Sequence, residues 1–177
     1  ELGGRAPLLL VVVVVGVDRS VREVDNDQPW RFIGSSLGGY IAARWASLHP
    51  DRVDRLVLLS PGFDMVARWA EILGEQGVRD WEEEGHFLFF DPDDNLTAVH
   101  WQLYADAEEN HPAFPEVPAP VLILHGKKDE IVPLDRSRTY IDRIGDGELV
   151  LLDDNHTLEE SIDEIARRTC DFFGLTD

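Results

Sequence analysis

Short apolar runs alternate with amphipathic stretches along most of the chain. Five runs have the length and composition of strands, at Leu8–Val15, Trp30–Ile33, Arg55–Leu59, Val121–Leu124 and Glu148–Leu152. The first run is almost entirely β-branched, which favours a strand covered on both faces, as in a parallel sheet. Apolar residues at helical spacing predict helices between the runs, over Val17–Val24, Leu37–Leu48, Ser137–Ile144 and Leu158–Phe173. This alternation predicts an α/β fold in which helices flank a mainly parallel sheet.

The interval from 62 to 118 interrupts the alternation. It is rich in tryptophan, phenylalanine and acidic residues, and its pattern predicts two helices, Met65–Leu73 and Asn95–Glu109. The insertion follows a predicted strand, so we expect it to lie over the carboxyl ends of the strands as a helical cap. The 177 residues then form a single domain that carries a cap insertion.

A serine lies at the centre of the sequence Gly34-Ser35-Ser36-Leu37-Gly38, directly after a predicted strand and before a predicted helix. A G-x-S-x-G sequence in this context allows a sharp strand-to-helix turn that leaves the serine oxygen exposed. Glycines on both sides remove side chains that would collide in the turn. The pattern predicts Ser36 as a nucleophile, with the backbone N–H of Leu37 as one donor of an oxyanion hole.

An acid and a histidine follow in the order that such a serine requires. His156 comes just after the last predicted strand and is the candidate general base, and Asp129 follows the fourth strand as the orienting acid. Asp64, after the third strand, is an alternative acid, and Glu130 is a weaker one. We expect the other histidines to be structural or exposed; these are His49, His86, His100, His111 and His125.

Three segments together resemble the α/β-hydrolase superfamily, in particular its small bacterial esterases and thioesterase-like members. They are the Gly34–Tyr40 turn, the Leu124–Pro133 loop with its His-Gly-Lys-Lys-Asp sequence, and the pair Asn155-His156. The resemblance implies hydrolysis of a small-molecule acyl ester or thioester through an acyl-serine intermediate, with no cofactor. The choice of substrate would be made by the cap and pocket.

The start of the chain departs from the superfamily pattern. Members usually place several strands and a His-Gly oxyanion loop before the nucleophile, whereas 35 residues and no His-Gly pair precede Ser36. Either the chain is a fragment or a divergent version of this fold, or the run Leu8–Val15 stands in for the missing inner strand. In the second case we expect the turn at Gly16 to supply the second oxyanion donor. A shortened sheet would leave an edge open for a homodimer. A catalytically impaired hydrolase fold that binds a ligand or partner is the alternative reading, and an accidental G-x-S-x-G in a doubly wound domain is a third.

The charge of the chain restricts its partners. Thirty-five acidic residues face 16 basic ones, a formal net charge of −19, which opposes binding to nucleic acids and anionic membranes. The run Leu8–Val15 is too short to span a bilayer as a helix, and the single cysteine does not indicate an oxidising compartment. We therefore expect a cytoplasmic protein. The sequence has no metal-ligand spacing and no dinucleotide or Walker motif.

Overall fold

The computed structural model describes residues 8–10, 29–90 and 96–175. The chain divides into two compact units, one made of residues 1–63 and 115–177 and the other of residues 64–114. Most of the predicted strand Leu8–Val15, the predicted helix Val17–Val24 and the proposed oxyanion residue Gly16 lie outside the described residues.

The larger unit is built on a parallel sheet. Its described strands are β1 (Leu8–Leu10), β2 (Trp30–Ser35), β3 (Val53–Leu59), β6 (Val121–Gly126) and β7 (Gly147–Leu152). They pair in the order β1-β2-β3-β6-β7, and every pairing is parallel. The flanking helices are α1 (Leu37–Leu48), α4 (Leu134–Arg143) and α5 (Ile162–Phe173). The predicted α/β fold class is therefore confirmed.

Small residues let helix α1 lie close to the sheet. Its buried face includes Gly39, Ala42 and Ala46, and Trp45 packs on Phe32 of β2 with ring centroids 5.2 Å apart. Strand β6 is buried along its whole length, as its continuous apolar sequence requires for a strand covered on both faces. Strands β2 and β6 thus both lie in the packed interior of the larger unit.

Helix α5 closes the other side of the core and begins later than predicted. Leu158 has a left-handed conformation (φ 59°), so residues Glu159–Ser161 form a 3₁₀ turn and the α-helix starts at Ile162. Phe173 at its far end is 1% exposed and packs in a cluster with these buried residues: Val57, Leu122, Leu124, Leu152 and Leu158.

Two arginines from the sheet hold the carboxyl end of helix α5. Arg31 donates to the carbonyl of Phe173 (2.6 Å) and Arg55 to the carbonyl of Phe172 (2.9 Å). Each guanidinium also lies over the ring of the same phenylalanine, 5.9 and 5.7 Å from its centroid. Cations at a helix carboxyl end satisfy unpaired carbonyls and complement the helix dipole, so these contacts dock the helix.

The smaller unit contains two helices and a β-hairpin. Helix α2 (Met65–Glu84) is broken at Gly74, and strands β4 (His86–Phe90) and β5 (Leu96–His100) pair antiparallel before helix α3 (Trp101–Asn110). The prediction of a helix over Asn95–Glu109 was therefore wrong in its first half. Leu96–His100 pairs with the aromatic strand before it, and this tertiary pairing outweighs the local helical pattern.

The aromatic residues of the smaller unit form its core. Trp81 is 2% exposed, and the centroid of its ring lies 5.5 to 6.1 Å from those of its aromatic neighbours Trp69, Phe87, Trp101 and Tyr104. Its indole N–H donates to the carbonyl of Val99 on β5 (2.9 Å). One buried tryptophan thus joins both helices to the hairpin.

No helix among the described residues combines the length and the apolar character needed to cross a membrane.

The packing of helix α5 predicts the effect of truncating its buried end. We expect Phe173→Ala to lower the free energy of unfolding by about 3 to 5 kcal/mol, because it opens a cavity in the core. The matched control is Ile162→Ala on the same helix. Ile162 is 60% exposed, so its truncation should lower the free energy of unfolding by about 0.5 kcal/mol or less. Urea unfolding of both variants measures the difference, and equal losses would contradict the docking of α5 through Phe173.

Candidate active site

The turn between β2 and α1 holds Ser36 in a conformation that few non-glycine residues adopt. Its φ is 51° and its ψ is −122°. Both backbone groups of the serine are bound: its N–H donates to the carbonyl of Leu59 (2.9 Å), and its carbonyl accepts from the N–H groups of Gly39 (3.0 Å) and Gly62 (2.8 Å). These bonds to the end of β3 and the segment after it hold the strained turn in place.

Gly34 is required by the close approach of the helix to the strand. A Cβ atom at this position would lie 2.5 Å from the carbonyl oxygen of Gly38 and 2.8 Å from the Cα of Gly39. Neither neighbour is a flexible side chain, so any other residue would push α1 away from β2. The glycine before the serine is thus explained by sterics.

The structure brings the three predicted side chains into contact. The Nε2 atom of His156 is 3.0 Å from the Oγ of Ser36, and its Nδ1 is 2.8 Å from the Oδ2 of Asp129. Nδ1 donates its hydrogen to the carboxylate, which leaves the lone pair of Nε2 to accept the serine hydroxyl. The imidazole is 20% exposed and the carboxylate is fully buried. The hydrogen bonds therefore connect a buried carboxylate, through a partly exposed imidazole, to the hydroxyl of Ser36.

The carboxyl group of Asp129 is held as an anion. Burial alone raises its pKa, but hydrogen bonds from His125, from His156 and from the backbone N–H of Val132 outweigh burial and bring the pKa well below its usual range. Its Oδ1 atom accepts from the N–H groups of Ile131 (3.0 Å) and Val132 (2.9 Å). At neutral pH this residue therefore presents a negative charge to the imidazole of His156.

The loops that carry the acid and the histidine run side by side. The N–H of Lys127 donates to the carbonyl of Leu152 (2.8 Å), and that of Lys128 donates to the carbonyl of Asp154 (2.9 Å). A Cβ atom at Gly126 would collide with the backbone carbonyl of Asn155, the residue before His156. The glycine at the end of β6 thus allows the two loops to approach.

The remaining predicted residues are placed as follows. Leu37 is the first residue of helix α1, where a backbone N–H has no acceptor within the helix and is available as a donor. Asp64 lies at the start of α2 in the smaller unit, and Glu130 is exposed, so the acid in contact with His156 is Asp129.

His125 is fully buried, in agreement with a structural histidine, but its contact with Asp129 was missed because burial at the end of a strand leaves no sequence signal. Within the described ranges, no group of three or more histidine, cysteine, aspartate or glutamate residues could hold a metal ion.

The parallel sheet with flanking helices places the chain in the α/β-hydrolase superfamily, as the resemblance implied. The structure of α/β hydrolase domain-containing protein 10 from mouse matches it with a TM-score of 0.73 and 26% identity, over 89% of this chain and 66% of that one. Est1E from Butyrivibrio proteoclasticus matches with a TM-score of 0.67 and 22% identity, over 88% of this chain and 64% of that one.

Within this superfamily, the chain belongs to UPF0227, an uncharacterised protein family whose sequence model matches residues 11–174. It is 30% identical over 123 residues to the mitochondrial palmitoyl-protein thioesterase ABHD10 of Mus musculus and 28% identical over 123 residues to that of Homo sapiens. These matches cover 66% and 67% of this chain, and the chain spans about two fifths of the length of each relative (40%). The chain therefore has a hydrolase fold and a thioesterase among its relatives. A cytoplasmic location stays a prediction.

The approach of the two loops predicts a specific intolerance at Gly126. We expect Gly126→Ala to lower the free energy of unfolding by about 1 to 3 kcal/mol, since the new methyl group must displace backbone rather than a side chain. Gly145→Ala is the matched control, because a Cβ atom there meets no atom within 4 Å. That change should leave stability unaltered or raise it by up to about 1 kcal/mol. Thermal and urea unfolding measure the stability of both variants, and equal changes in the free energy of unfolding would contradict the steric argument.

Proposed function

We propose that this protein is a serine hydrolase that cleaves carboxylic esters or thioesters through an acyl-serine intermediate. The observation that carries the proposal is the continuous contact from Ser36 through His156 to Asp129, at 3.0 and 2.8 Å. A hydroxyl, an imidazole and a buried carboxylate in this order are the groups that activate a serine.

The proposed reaction begins with attack of the Ser36 oxygen on the acyl carbon of the substrate. His156 Nε2 takes the hydroxyl proton during the attack and then gives it to the departing alcohol or thiol. Asp129 remains ionised and stabilises the imidazolium that forms between the two proton transfers. Water, activated by the same imidazole, then attacks the acyl-serine and releases the acid.

The negative charge on the substrate oxygen needs hydrogen-bond donors. The backbone N–H of Leu37 supplies one, at the positive end of helix α1. The turn at Gly16 stays our prediction for the second donor. Removal of one such donor typically lowers turnover by about a hundred- to a thousandfold, so this turn would have a large effect on rate.

Two features support an acyl ester or thioester as the substrate. The relative from Mus musculus is named a palmitoyl-protein thioesterase, which supports thioester cleavage as the proposed reaction. The net charge of −19 disfavours highly anionic substrates. The assignment of residues 62–118 as a cap that selects the acyl group stays a prediction.

The first test compares the two adjacent serines of the turn. We expect Ser36→Ala to lower the hydrolysis of p-nitrophenyl acetate and butyrate by about a thousandfold or more, because the nucleophile is removed. Ser35→Ala, which changes the neighbouring serine at the end of β2, should keep most of the activity. A fluorophosphonate probe should label the wild type and the Ser35→Ala variant but not Ser36→Ala. Equal rates for the wild type and Ser36→Ala would favour the alternative of a binding protein with an idle site.

The second test separates the two candidate acids. We expect Asp129→Asn to lower kcat about a hundredfold or more, because a neutral amide no longer orients the imidazole or stabilises its charge. Asp64→Asn should retain activity near that of the wild type, and asparagine tolerates the left-handed conformation of residue 64 (φ 55°). A large loss in Asp64→Asn together with an active Asp129→Asn would reverse the assignment.

A further inference from the structure

His125 lies at the end of strand β6 and is completely buried. Its Nδ1 atom is 2.8 Å from the Oγ of Ser137, which is also fully buried in helix α4. Its Nε2 atom is 3.0 Å from the carbonyl oxygen of Val132. The ring therefore joins the strand that precedes the acid loop to the end of that loop and to the helix that follows it.

The contacts of His125 define where its hydrogen lies. Nε2 faces two acceptors, the carbonyl of Val132 and, at 3.3 Å, the Oδ2 atom of Asp129. Neither oxygen can donate, so Nε2 carries a hydrogen whether the ring is neutral or charged. In the neutral ring Nδ1 is then the acceptor, and the hydroxyl of Ser137 donates to it. The two acceptors thus select the tautomer that points a hydrogen toward the carboxylate, and the hydroxyl of Ser137 satisfies the other ring nitrogen.

The oxygen that His125 reaches is the one that serves the active site. Oδ2 of Asp129 accepts from His156 at 2.8 Å and lies 3.3 Å from Nε2 of His125, whose hydrogen is shared with the carbonyl of Val132. Its other oxygen is bound by the backbone N–H groups of Ile131 and Val132. His125 is thus a second imidazole in contact with the oxygen that serves His156.

We propose that His125 is a positioning residue of this active site, which acts on His156 through Asp129. The inference rests on the proposed function. The N–H of His125 holds Oδ2 in line with His156 and draws off part of its negative charge. It thereby sets both the orientation of the imidazole and how strongly the carboxylate stabilises the imidazolium. A histidine that merely tied the loop together would do neither.

Two substitutions at the same position separate positioning from structural support. Glutamine can place an amide N–H near the position of Nε2, whereas leucine has a similar volume and no donor. We expect His125→Leu to lower kcat/KM by about ten- to a hundredfold, the range for a lost hydrogen bond to a charged group. His125→Gln should stay within about threefold of the wild type, because a donor to a charged acceptor is retained.

The pH profile is the readout that structural support alone would not move. The titratable groups in contact within this network are His125, Asp129 and His156. Without the donor the carboxylate keeps more negative charge with which to stabilise the imidazolium of His156. The acid limb of kcat/KM should therefore move up by about one pH unit in His125→Leu, the shift that corresponds to a tenfold change in a protonation equilibrium. It should stay in place in His125→Gln.

NMR of isotope-labelled histidines tests the inference without turnover. The wild type should show a hydrogen on Nε2 of His125 and a low-field resonance for the Nδ1–H of His156, which shifts in His125→Leu but not in His125→Gln. If leucine prevents folding, Ser137→Ala replaces it; loss of the hydroxyl should reduce kcat/KM about two- to tenfold and shift the same resonance. Failure of ester hydrolysis in the wild type would overturn the proposed function but leave these resonances as the test of positioning.

Two results would overturn the positioning role. One is a folded His125→Leu variant whose acid limb and His156 resonance match those of the wild type, even if its stability is reduced. The other is a wild-type spectrum in which Nε2 of His125 carries no hydrogen. Either result would mean that His125 only stabilises the loop that carries Asp129.

Discussion

The active site depends on one buried charge. Asp129 has no exposed side-chain surface, and a carboxylate removed from water is costly unless hydrogen bonds replace its hydration. Hydrogen bonds do so here, from two backbone N–H groups of its own loop and from side chains that include His125 and His156. Each donor is also a geometric restraint, so the groups that stabilise the anion fix its direction. The acid loop, the buried His125 and the proposed catalytic base His156 therefore together replace the water around this carboxylate.

The topology of the sheet explains how distant residues meet around that charge. His156 and Ser36 are 120 positions apart, and His156 and Asp129 are 27 apart. Each follows the carboxyl end of a parallel strand, and such ends lie at one edge of the sheet. The strained conformation of Ser36 then turns its hydroxyl to this edge. The parallel arrangement of the strands thus brings the three side chains of the proposed triad to the same edge of the sheet.

Much of the larger unit could be predicted from the sequence because its signals are local. Apolar runs located the strands, and the glycines around Ser36 located the turn. The choice of Asp129 over Asp64 rested on its place after the fourth strand, in a loop that resembles the acid loop of the superfamily, and the structure shows Asp129 at His156. Other features depend on contacts that no local pattern records. The strand Leu96–His100 exists because it pairs with His86–Phe90, and the contact of His125 with Asp129 exists because a loop folds back on it.

The two units have separate sources of stability, and this has a consequence for the chemistry. The smaller unit packs its rings around Trp81, whose indole N–H is satisfied within the same unit by Val99. The contacts of Ser36, His156 and Asp129 are made entirely within the larger unit. The hydrogen bonds of the proposed triad therefore involve no residue of the smaller unit. The reaction type can stay constant while residues 64–114 vary, because the proposed chemistry depends on the buried carboxylate and not on this segment.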